Sequence, residues 1–234
     1  MKKYLQILLT AVIGFGLMAG CTSTQGMFQE TKAKENNEQI KVRIGGNLNM
    51  AFTLEEMNQE ADYIVIGKYT QLKKKVNSAR DVNDPSKESE EEYHEGEVYD
   101  FAVDQVLKGK ISEKSILVEV PKKMQLTDPE DLRKYEIIDP NYIQPKMDQK
   151  YILFLDKADG DDYYGIPFFP YVLEIQDNQI LKVVKPDPAL RIQELQAQSK
   201  QIHVEGDSFV DAFQDLLSGK RLQDVLESLL KKNS

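Results

Sequence analysis

Between Tyr63 and Val184 the apolar residues fall into short runs separated by turn residues, and this pattern limits the fold more than any other feature. "ADYIVIGKYTQL" gathers β-formers from Tyr63 to Ile66, with Gly67 placed to mark a bulge. "EVYDFAVDQVLKGK" sets Tyr99, Phe101 and Val103 on one side and Val98 and Ala102 on the other, a strand with two faces. "SILVEVP" is a further strand, expected to end at Pro121. "KYILFLDK" is the most apolar run and is expected near the sheet centre, with Asp159-Gly160 as the tight turn after it. Asp177-Asn178 divides two more apolar runs in the manner of a hairpin. Strands this short, joined by turns, specify an antiparallel sheet.

The flanks differ. Residues 21–46 are polar and read as a flexible tether, with a short strand possible at Ile40, Val42 and Ile44. Thr53 and Glu56 form a capping-box pattern ahead of a helix ending near Ala61. Residues 73–96 read as a long polar insert, a disordered segment or solvated hairpin tip in preference to a binding element. The crossover 121–149 holds four prolines, and "DPEDLRKYE" within it suggests a turn of helix. From Pro188 onward, "PALRIQELQAQSK", "DSFVDAFQDLLSGK" and "RLQDVLESLLKK" all read as helix, the last with Leu222, Val225, Leu226, Leu229 and Leu230 on one face. The expected fold is α+β: an antiparallel sheet or small β-barrel of six to seven strands in residues 47–186. A C-terminal helical hairpin in residues 187–234 is expected to pack on it.

Cys21 is the single cysteine in 234 residues. It follows Lys2, Lys3, an apolar run from Leu5 and the small residues Ala19-Gly20. A basic start, a short apolar run and a small-residue end make a secretory signal. As a helix, residues 5–20 would span roughly 24 Å, short of a bilayer core about 30 Å thick. The stretch resembles the lipobox of bacterial lipoproteins, with Met18 in place of the usual leucine. That resemblance implies cleavage after residue 20, a diacylglycerol thioether on Cys21, and a lipid-anchored protein on the extracytoplasmic face of the cell membrane. Loss of residues 1–20 leaves 28 basic against 39 acidic residues, a net charge of −11. Such a surface repels phosphate backbones and excludes nucleic acid as a partner. It also leaves membrane attachment to the lipid rather than to a basic patch.

"ADYIVIGKY", "YDFAVDQVLKGK" and "DQKYILFLDK" together resemble a pattern in uncharacterised exported proteins of Gram-positive bacteria. The likeness covers residues 61–157 and implies a β-barrel-like domain with no assigned catalytic residues.

The residues themselves carry no catalytic motif. His94 and His203 are the only imidazoles, and neither adjoins a serine motif. With the one cysteine assigned to lipid, a zinc site lacks ligands. "SGKR" at 218–221 lacks the glycine of a phosphate loop, and "DKADGDD" at 156–162 does not match calcium-loop spacing. No metal or cofactor is expected. The candidate binding residues are aromatic: Tyr163, Tyr164, Phe168, Phe169 and Tyr171, interrupted by Gly165, Pro167 and Pro170. They form either a ligand or glycan platform or core packing beneath an irregular edge. The expected function is that of an envelope lipoprotein acting as a binding or interaction module, with an envelope protein or glycan as partner. The alternative is an envelope hydrolase built on paired carboxylates, which requires two acids with raised pKa values facing one pocket.

Overall fold

The computed structural model of the chain describes residues 27–30, 39–45, 49–84, 87–127, 133–157, 162–197, 200–206 and 213–232. The strand-rich middle folds as one antiparallel sheet of seven strands, curled into a half-barrel. Its members are β3 (Tyr63–Asn77), β4 (Glu95–Lys108), β5 (Ser115–Thr127), β6 (Lys134–Ile138), β7 (Lys150–Leu155), β8 (Val172–Ile175) and β9 (Leu181–Val183). Their order across the sheet is β6-β5-β4-β3-β7-β8-β9. A smaller sheet takes the order β1-β2-β11-β10, from β1 (Met27–Glu30), β2 (Gln39–Gly45), β10 (Ile192–Ala197) and β11 (Lys200–Gly206). Two helices complete the described elements: α1 (Leu54–Glu60) and α2 (Leu222–Lys232). The architecture is thus mainly β with some helix, of the α+β kind.

The curl originates in β3 and β4. Their pairing carries four register shifts, each of which bends and twists the hairpin. Gly67 sits at one of them. A Cβ there would lie 2.0 Å from the Ala102 carbonyl oxygen and 2.6 Å from Cε1 of Phe101, so the strands approach only because position 67 has no side chain. On the concave face, Tyr69 meets Tyr99, Phe101 and Tyr151 edge-on, with ring centroids 5.1–5.7 Å apart. β7 is buried from Tyr151 to Leu155 and lies between β3 and β8, inside the sheet but one place from its centre.

α1 begins as its sequence specifies. The Thr53 hydroxyl accepts from the Glu56 amide, and Glu56 Oε2 accepts from the Thr53 amide. The Lys108 ammonium closes the other end on the Asn58 and Ala61 carbonyls. The β8–β9 hairpin turns at Asp177-Asn178, and Gln179 takes the positive φ that completes the turn.

Several sequence expectations are corrected. β5 does not stop at Pro121. A bulge opposite Glu95-Gly96 lets proline sit in the ladder, and the strand continues to Thr127. Tyr135 and Glu136 belong to strand β6, not to a helical turn, and residues 128–132 lie outside the described part. The polar insert shrinks to residues 78–94, because β3 and β4 run out to Asn77 and Glu95. Within it, Asn77 Nδ2 donates to the Ser89 and Glu92 carbonyls, and its Oδ1 accepts from the Ala79 and His94 amides. Residues 21–46 include β1 and β2, so the expected tether is partly a sheet, and β2 pairs in parallel with β11. "PALRIQELQA" is not helical beyond one 3-10 turn, Pro188–Arg191, because Ile192–Ala197 pairs with β11. Of the expected hairpin, α2 forms as read, residues 213–220 are irregular and turn rather than helix, and residues 207–212 lie outside the described part.

The two sheets meet through Leu126 and Ile137 of the large one and Ile202 and Val204 of the small one, all buried. The Gln193 side chain seals the junction. Its Nε2 donates to the Ile138 carbonyl and its Oε1 accepts from the Ile138 amide, so it substitutes for a neighbouring strand at the edge of β6.

Candidate functional site

The five aromatic candidates are buried, at 7% exposure for Tyr163, 8% for Tyr164, 3% for Phe168, 2% for Phe169 and 5% for Tyr171. Tyr164, Phe168, Phe169 and Tyr171 belong to the main core, and Tyr163 is covered by Arg80 and Lys74, so the five form no exposed platform. Their segment also closes one end of the half-barrel. The Tyr164 amide donates to the Leu117 carbonyl and the Glu119 amide donates to the Tyr164 carbonyl, on the outer edge of β5. Gly165 then pairs with Asp156 just beyond β7. Phe169 exchanges hydrogen bonds with Asn49 and Ala51, and its ring meets Phe213 edge-on at 5.5 Å. The prolines that interrupt strand pairing here let the chain cross from one edge of the sheet to another.

A groove of about 900 Å³ lies between the two margins of the sheet, bordered by β5 and β6 on one side and β8 and β9 on the other. Beneath it is a buried polar cluster. "EGEVYDF" carries Glu95 and Glu97 on the same strand face as Tyr99 and Phe101, so the curl that buries the rings also draws in the acids. Glu97 is 3% exposed. Its Oε1 accepts from Lys122 Nζ at 2.6 Å, and its Oε2 accepts from the Tyr99 hydroxyl at 2.5 Å and the Tyr142 hydroxyl at 3.1 Å. Burial works against the charge of Glu97, but the bonds from Lys122, Tyr99 and Tyr142 outweigh it and hold the carboxyl below the ordinary glutamate range. Burial and the adjacent carboxylate push Tyr142 up to about 12 and Tyr99 higher still. The cluster is therefore an ionised carboxylate among neutral phenols. It fixes Lys122 at the groove wall.

Five cations line the groove: Lys122, Lys146, Lys182, Lys185 and Arg191. Three acids accompany them, Glu174, Asp187 and Asp215. The lining therefore carries a formal +2 in a chain whose net charge is −9. The acids are engaged locally. Asp215 accepts from the Leu217 and Ser218 amides, and despite its burial these bonds hold it below the ordinary range. Asp187 caps the 3-10 turn through the Ala189 amide, and Glu174 lies 3.5 Å from Lys146 Nζ. Ile143 and Val183, both buried, supply apolar floor.

Two described carboxyls, Asp139 and Asp156, are pushed up, in each case chiefly by burial. They stand apart, Asp139 just after β6 and Asp156 at the far end of β7, and neither lines the groove. His203 lies on β11 with its Nδ1 2.5 Å from Glu194 Oε1, and His94 closes the 78–94 loop through its backbone. Among the described residues no group of three or more His, Cys, Asp or Glu is placed to hold a metal ion. Cys21 and the Asp159-Gly160 turn lie outside the described residues.

The sequence reading missed both the Glu97 cluster and the groove. A signal existed for Glu97, an acid two residues from a core tyrosine on an apolar strand face. The groove left none, since its cations come from separated segments between residues 122 and 191. No protein-family model and no curated protein matches the chain.

Proposed function

We propose that this chain is a lipid-anchored lipoprotein of the bacterial cell envelope that works as a binding module, with the open groove of the half-barrel as its working surface. The groove carries the binding part of this reading: it concentrates positive charge over an apolar floor in an otherwise acidic chain. Its size suits a single ligand of moderate size, in the range of roughly 300–1,000 Å³ typical of such sites. The hydrolase alternative draws no support from the raised carboxyls, because neither Asp139 nor Asp156 lines the groove.

The order of charge, apolar run, small residues and cysteine supports the anchor at Cys21. With β1 starting at Met27, the chain from Cys21 reaches at most about 21 Å when fully extended, so an acylated Cys21 holds the small sheet close to the headgroups.

The anchor is tested by fractionation and mass spectrometry. Wild-type chain is expected in the membrane fraction, with a lipid-modified amino terminus at residue 21, and Cys21→Ser in the soluble fraction or medium. A Cys21→Ser product that stays in the membrane at its unprocessed mass refutes it. The binding part is tested by thermal shift of the full-length protein against anionic and neutral small molecules. Selective stabilisation by anions is expected. No stabilisation, together with turnover of an envelope polymer, overturns it.

A further inference from the structure

We infer that the groove takes a ligand bearing a phosphate group, an inference that rests on the groove being the working surface proposed above. The groove cations differ in whether a carboxylate already holds them. Lys122 is spent on Glu97 at 2.6 Å, and Lys146 faces Glu174 at 3.5 Å. Among the described residues neither Lys182 nor Lys185 forms an ion pair, although Asp215 feels the charge of Lys185, and both lysines are exposed. Lys185 Nζ stands 5.8 Å from the Phe213 ring centroid, which steadies the ammonium without neutralising it.

Lysine binds phosphate as a compact point charge with three donors, while the fork of arginine engages carboxylate and phosphate alike. Four of the five groove cations are lysines. A phosphate monoester carries about −1.5 to −2 at neutral pH, a charge that the two ammonium groups of Lys182 and Lys185 would balance. The apolar floor at Ile143 and Val183 would pack against the carbon part of the ligand. A long polyanion does not suit this site, because the acidic surface outside the groove repels it. The same chemistry could come from a soluble phosphate ester or from a phospholipid headgroup.

Isothermal titration of the full-length protein in non-ionic detergent tests the inference. The probes are glycerol 3-phosphate, dihexanoyl phosphatidylglycerol below its micellar concentration, and citrate. At least one phosphate probe is expected to bind at least tenfold more tightly than citrate, and Lys182→Glu/Lys185→Glu should weaken it at least tenfold. Both lysines are exposed, and circular dichroism of the variant checks that the fold is kept. Binding of glycerol 3-phosphate identifies a soluble ester as sufficient, and binding of the short-chain lipid alone assigns the headgroup with its chains. Citrate binding as tight as the phosphates overturns the phosphate inference but leaves the binding-module reading in place. Phosphate binding that the double variant leaves unchanged moves the site elsewhere and overturns the inference. No binding by any probe overturns the inference and, joined to a negative thermal-shift screen, the groove reading too.

Discussion

Replacing Glu97 with glutamine tests the cluster beneath the groove with almost no change of shape. The carboxylate accepts three hydrogen bonds, one of them from an ammonium. Glutamine keeps an oxygen for one tyrosyl hydroxyl but loses the charge that holds Lys122. Removing one partner of a buried ion pair costs about 3–5 kcal/mol, and a hydrogen bond to a charged group contributes about 1.5–3. The Glu97 side chain is 4% exposed but that of Lys122 is 27% exposed, so the ammonium can swing out to water. That places Glu97→Gln near the lower bound, at about 3 kcal/mol. With a urea m-value of roughly 2 kcal/mol/M, the unfolding midpoint falls by about 1.5 M at pH 7. The pH dependence supplies a second reading. The folded pKa of Glu97 lies below its ordinary value of 4.5, so its contribution is present above that value and lost as the pH falls through the folded one. Urea curves at pH 7 and pH 3.5 should therefore show the gap between wild type and variant narrowing in acid. A midpoint shift under about 0.3 M at pH 7, or a gap of equal size at both pH values, refutes the reasoning.

Two other substitutions bear on the fold. Gly67→Ala places a methyl 2.0 Å from the Ala102 carbonyl oxygen, which is backbone and cannot swing aside. A loss of about 1–3 kcal/mol is expected, seen as a melting temperature lower by several degrees, and an unchanged melting temperature refutes the close approach. Phe169→Ala empties a site that is 2% exposed beside Phe213 and should cost about 3–5 kcal/mol in denaturant unfolding while leaving anion binding intact in the folded fraction. A cost below about 1 kcal/mol would mean that the ring is not core, and would restore the aromatic platform as a binding site.

Local signals were reliable where local physics decides. Thr53 and Glu56 sit three residues apart, and both capping-box bonds form within that span. Tyr151–Leu155 is buried as its unbroken apolar run requires, and the Asp177-Asn178 turn needs only its own backbone. Reading failed where a distant partner decides. "RIQELQA" is rich in helix formers, yet its strand exists because β11 offers an edge and Gln193 reaches Ile138, 55 residues away. Pro121 looked like a stop until a bulge opposite Gly96 accommodated it. The aromatic run 163–171 could not be sorted between surface and core, because the answer depends on Leu117, Glu119 and Asp156 meeting it.

From its residues alone this chain reads as a strand-rich α+β domain, since alternation, caps and turns act within a few residues. The groove and the buried Glu97 belong to tertiary structure alone. A curled sheet brings Lys122, Lys146, Lys182, Lys185 and Arg191 around one void, and the strength of a charge depends on what the fold places within a few ångströms of it, not on its neighbours in the sequence.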